Sequence, residues 1–141
     1  MRQRMELERR AGSLRLVAAE CSNLSGVERQ LGNLAAARLL ALEALNIWSR
    51  QEDVWAIPYA FNQLAAIDAA SGDMERAATL LATAAVMVTA QGAGWPPDEA
   101  PIFDETRDAC KRALSPAGFE QAWASGEAMS WQQAADMARA G

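Results

Sequence analysis

The 141-residue chain has a mass of 15.2 kDa and a formal net charge of −5 at pH 7, enough length for one domain and too acidic for a nucleic-acid-binding face. With 51% apolar and 22% charged residues it is globular and not disordered, and no apolar run approaches the roughly 18 residues of a membrane span. Histidine is absent, which removes Ser-His-acid and Cys-His catalytic arrangements and the commonest zinc ligand.

The N-terminal stretch MRQRMELERR mixes both charges and lacks the apolar core of a secretion signal, so a cytoplasmic location is expected. Arginines concentrate here, at positions 2, 4, 9, 10 and 15, but Glu6 and Glu8 interrupt them and the run reads as a solvated helix face. A first helix is predicted over about 6–31, with a break near Ser22–Gly26. Leu14, Val17, Cys21, Leu24 and Val27 recur at three- and four-residue steps and form its expected buried stripe. Gly32 ends it, because glycine tolerates the left-handed backbone past a helix end. A second helix over about 34–50 carries Ala37, Leu40, Ala41, Ala44, Leu45 and Trp48 on one face, where alanines let helices approach closely.

Asp53 is a plausible N-cap for a third helix over about 54–71, with Pro58 in its first turn and Ile57, Phe61, Leu64 and Ile67 inward. Gly72 closes it, and a fourth helix over about 74–91 buries Met74, Ala77, Ala78, Leu81, Ala84, Ala85 and Val88. The loop over 92–98, GAGWPPD, is not a phosphate-binding glycine loop, since no strand precedes it and Pro96-Pro97 follows. A fifth helix starts near Asp98 or Glu99, with Ile102, Phe103, Thr106, Ala109, Cys110, Ala113 and Leu114 inward. Ser115-Pro116 opens a sixth, ended by Gly126, and Ser130 with Gln133 forms a capping box for a seventh over about 131–138. Nothing alternates with period two, so the chain is all-α.

Cys21 and Cys110 have no CxxC spacing and fall among helical apolar positions, as packed small hydrophobes do. Between Glu52 and Asp108 stand ten acids against Arg76 and Arg107. The densest group, Asp98, Glu99, Asp104, Glu105 and Asp108, lacks a second ligand-bearing segment, and i,i+4 pairing with Arg112 accounts for part of it. Neither a metal nor a cofactor is expected.

The segment from Gly72 to about Gln91 repeats the one from Gly32 at a period of 40 residues. Leu24 and Leu64, Ser25 and Ala65, Gly32-Asn33 and Gly72-Asp73, Ala37 and Ala77, and Ala44 and Ala84 match in the two copies. These positions resemble tetratricopeptide repeats, whose unit is about 34 residues. The departures are the longer period, Glu28 and Asp68 where an aromatic is common, and no proline at Ser49 or Thr89. Leu114, Phe119, Ala122, Trp123, Gly126 and Ser130 extend the likeness. They resemble the C-terminal helical-repeat region of large LuxR-like ATPase-containing bacterial transcription regulators, here without the ATPase or the DNA-binding part. The resemblance implies stacked antiparallel hairpins, two repeats over about 14–51 and 54–91, the proline loop 92–98, and a cap of about three helices over 99–139.

It further implies a non-enzymatic, regulatory protein–protein interaction module that docks a protein or peptide along its groove. Arg29, Tyr59, Asn62 and Gln63, with Trp95 of the proline loop, are the expected groove residues, through hydrogen bonds and one charge. Repeat stacks generally need three units or caps, so the N-terminal edge is expected to be covered by the first helix, by sequence outside this stretch, or by a second copy of the chain as a homodimer. The alternative is a small-molecule sensor with a pocket between the groove helices and the Trp95 loop. Direct nucleic-acid or membrane binding is not expected.

Overall fold

The computed structural model describes residues 2–141, with only the backbone at Arg2. It contains α1 (Arg2–Gln30), α2 (Leu34–Arg50), α3 (Ile57–Ala70), α4 (Met74–Gln91), α5 (Ala100–Ala113), α6 (Pro116–Ala128) and α7 (Trp131–Ala140). No strand occurs among the described residues, and no helix is long and apolar enough to cross a membrane.

Helices α1 and α2 lie antiparallel. Ser25 Oγ donates to the Ala37 carbonyl at 2.8 Å near the turn, and Gln51 Nε2 to the Ala11 carbonyl at 3.0 Å at the far end. The turn geometry follows from glycine. Gly32 and Gly72 have φ of +85° and +91°, and the next amide bonds back five residues in both turns: Asn33 N–H to the Glu28 carbonyl at 2.9 Å, Asp73 N–H to the Asp68 carbonyl at 2.8 Å. These bonds satisfy carbonyls that the helix end leaves open. Helices α2 and α3 join by the same arrangement, Asp53 N–H to the Trp48 carbonyl at 2.9 Å, but Glu52 takes the left-handed position, at φ 51°.

Helices α1 to α5 each pack on the next in the chain; α3 touches α1, α2, α4, α5 and α7, and α4 touches α3, α5, α6 and α7. Phe61, Leu45, Ile57, Leu64, Ile67, Leu80 and Leu81 are fully buried, each such side chain contributing about 1.5–3 kcal/mol relative to exposure. Ala37, Ala41, Ala44, Ala77, Ala78 and Ala84 are also inaccessible, and their small side chains let the backbones approach closely. Both cysteines are buried, and desolvation pushes the Cys110 thiol up to about 11.

Several boundaries differ from the sequence reading. Helix α1 is continuous through Ser22–Gly26, because Ser22 and Ser25 are buried interior residues of the helix and not a break. Helix α3 begins at Ile57. Asp53 instead caps the turn before it, accepting from Ala56 N–H at 3.2 Å. Helix α6 runs past Gly126, which is buried where α6 crosses α4. Thr83 Oγ1 donates to the Gly126 carbonyl at 2.7 Å. Ser115 and Ser130 cap as expected, the latter in a full capping box.

The largest difference concerns the face of α1. Ala18, Cys21, Ser22 and Ser25 pack inward, while Leu14, Val17, Leu24 and Val27 are 41–51% exposed and Leu31 is 69% exposed. Small residues make the close seam with α2, and the leucines lie to one side of it.

Candidate functional site

The described structure fills the expected groove from within. Helix α3 carries Tyr59, Asn62 and Gln63, and α5 packs against α3. The first residue before α5, Glu99, is 7% exposed. Asn62 is fully buried, and its Nδ2 donates to Glu99 Oε2 at 2.8 Å and to the Glu99 carbonyl at 3.2 Å. Gln63 is 3% exposed, its amide lying against α1 at Gly26. Asn62 therefore ties α3 to the start of α5, and neither it nor Gln63, whose buried Oε1 has no hydrogen-bond partner among the described residues, faces solvent as a groove contact. Arg29 is half-buried, with its Nε unpartnered. Trp95 is pinned between Tyr59 and Phe103, at ring-centroid distances of 6.3 and 5.1 Å, and Phe103 in turn meets Trp123 edge-on at 6.3 Å. The proline loop is thereby held against α3 and α5.

Between α1, α3 and this loop remains a cleft of about 300 Å³. Arg15 and Ser22 of α1, Trp48 of α2, Tyr59 of α3, and Asp98 and Glu99 line it. Ser22 is 3% exposed and its Oγ has no hydrogen-bond partner. Burial raises the Glu99 carboxyl, against the Asn62 hydrogen bond and the Arg29 charge, which lower it, while Asp98 adds to the rise. Burial also raises the Tyr59 phenol, reinforced by Glu99, Asp98 and Asp53. Of the five expected groove residues, Tyr59 alone lines the cleft; Glu99, Trp48 and Arg15 were not foreseen. A polar residue placed at the start of a helix after Pro-Pro, able to reach back to an asparagine, is the signal that local patterning missed.

A second polar centre was not foreseen either. Asp68 of α3 is 1% exposed and forms ion pairs with Arg38 of α2 and with Arg76 of α4, the latter at 3.3 Å. Arg76 Nη2 also donates to the Ala138 carbonyl of α7 at 2.7 Å. The hub's sequence signal was an acid, Asp68, set among the apolar positions of α3.

Among the described residues, no group of three or more Cys, Asp and Glu side chains is placed to hold a metal ion. No protein-family model matches the chain, and neither a curated protein nor a solved structure does.

Proposed function

We propose that the chain is a non-enzymatic helical-repeat interaction module, tetratricopeptide-like in its two hairpins, and a regulatory part or relative of a cytoplasmic bacterial transcription or signalling regulator. The observation carrying this reading is the exposed apolar edge of the first hairpin. Leu14, Val17, Leu24 and Val27 are 41–51% exposed, and Leu31 and, on α2, Leu39 are 69% and 72% exposed. Contiguous exposed apolar surface marks an interaction site.

A second copy fits this edge. Run antiparallel, two α1 helices centred on Ala19 would set Leu14 against Leu24 and Leu7 against Leu31. The two charged interruptions of the stripe, Arg10 and Glu28, would then face each other twice by symmetry. Glu20, near the axis, opposes the pairing and limits its strength. Sedimentation over about 1–100 μM tests it, a range spanning micromolar self-affinities. A dimer that Leu24→Glu dissociates, with helicity unchanged, supports the reading. A strict monomer at tens of micromolar removes self-docking and this use of the edge.

The cleft favours a second reading, small-molecule sensing. Its support is the buried Ser22 hydroxyl, which is left without a partner on the cleft wall.

A further inference from the structure

We propose that the cleft between α1, α3 and the proline loop binds an alkylammonium group, seated between Trp48 and Tyr59 and hydrogen-bonded to Ser22 Oγ and the Glu99 carboxylate. The inference rests on the sensing reading and names its ligand class.

Three independent features converge. The first is hydrogen-bonding capacity left unused. Ser22 Oγ is buried without a partner among the described residues, an arrangement that is unfavourable unless something bonds to it. Glu99 lines the same cleft, and a side chain donates only to its Oε2. An ammonium carries three donors and no acceptor, and so matches a hydroxyl and a carboxylate together.

The second feature is the walls. Trp48 is 4% exposed, Tyr59 is half-buried, and both line the cleft. Aromatic faces attract organic cations and give apolar cover to the carbon next to the charge, whereas a hydrated metal ion gains little from them. The third is charge and size. Asp53, Asp98 and Glu99 act on Tyr59, against Arg15 on the wall and Arg29 near Glu99. The surplus of one negative charge suits a singly charged amine, and Arg15 works against a polyamine. A volume of about 300 Å³ lies at the lower end of ligand pockets and admits a small molecule or one side chain.

The ammonium could belong to a free amine or to a lysine side chain, and the test separates them. The full chain is titrated with n-butylamine, with a capped Gly-Lys-Gly tripeptide, with 1-butanol and with succinate, and the indole NMR signals are followed. Saturable shifts at Trp48 with the amine or the tripeptide, absent with butanol, support the proposal. The tighter of the two identifies the source. Glu99→Gln keeps an acceptor for Asn62 and removes the charge, so it should weaken binding by about tenfold, the usual size for one charge-assisted hydrogen bond. Asp98→Asn, at an exposed position, should fold normally and weaken binding less.

Equal binding of butanol and butylamine would overturn the proposal, as would silence from all four probes. Binding of succinate alone would overturn the ligand class while leaving a sensing cleft in place. Stabilisation by an unrelated neutral metabolite would do the same.

Discussion

Gly126 of α6 sits against the backbone of Thr79 of α4, so close that a single added methyl would collide with the Thr79 carbonyl and come within 2.8 Å of Ala82 Cβ. Both obstacles belong to a helix packed on several others, so neither can move aside cheaply. Gly126→Ala should therefore destabilise the chain by about 2–3 kcal/mol, the upper part of the range for overpacking a core. Gly12 in α1 is the control, since nothing lies within 4 Å of a Cβ there. Gly12→Ala should stabilise by about 0.5–1 kcal/mol through helix propensity. Urea unfolding of the two variants checks both signs.

Glu52 occupies the turn position that Gly32 and Gly72 fill in the neighbouring turns, with the same five-residue back-bond and φ of 51°. An L-residue there costs roughly 1–2 kcal/mol that glycine does not. Its side chain is exposed and makes no hydrogen bond or ion pair among the described residues that would offset the cost. Glu52→Gly should raise stability, by about 1 kcal/mol or less once the added freedom of the unfolded chain is counted. An unchanged or lower urea midpoint would mean that the turn is not strained at this residue.

These turns also show what could be read from the chain and what could not. The helices were legible because their punctuation is local: Gly32-Asn33, Gly72-Asp73, Ser115-Pro116 and Ser130 with Gln133 act on backbone groups within five residues. Which face of a helix packs is not local. Alpha-1 carries an apolar stripe through Leu14, Val17 and Leu24 and a small-residue stripe through Ala18, Ser22 and Ser25. Periodicity favoured the first, while close approach to α2 selected the second. Gly126 reads as a stop by composition, and only the path of α4 explains it as a crossing point. The site was harder still. Asn62 reads as a groove contact until α5 folds back and places Glu99 against it, and nothing in the pattern of 92–98 dictates that return.

Asp68 links three helices through Arg38 and Arg76, whose side chains are 22% and 17% exposed. Burial raises the Asp68 carboxyl, and the two arginines only partly oppose it, so the hub is expected to add little net stability over an apolar replacement. Asp68→Asn leaves two guanidinium groups facing each other with no counter-charge. The loss should be about 2 kcal/mol, below the 3–5 kcal/mol of a fully buried pair because water still reaches both arginines. Replacing all three, with Asp68→Leu, Arg38→Met and Arg76→Leu, should recover most of that loss. Recovery absent in the triple variant would show that the hub is itself a net source of stability.

Glu99 makes a pH prediction whose sign can be worked out. Its carboxyl titrates above the unfolded value near 4 because burial outweighs the Asn62 hydrogen bond and the Arg29 charge. Between the unfolded and folded values the native state therefore holds more protons than the unfolded one, and stability falls as pH rises. The contribution is fully present below about pH 4 and is lost as pH climbs through the raised folded value. Glu99→Gln keeps the acceptor for Asn62 Nδ2 and removes the titration. Relative to the unaltered chain, the variant should become progressively more stable as pH rises from about 4 through the raised folded value, and the difference should level off above it. Urea midpoints of both proteins along that pH series check it. A difference that shrinks with rising pH would mean that Asn62 and Arg29 hold the carboxylate more strongly than burial opposes it. The Glu99 side chain would then be a stabilising anchor of the loop and not a strained one.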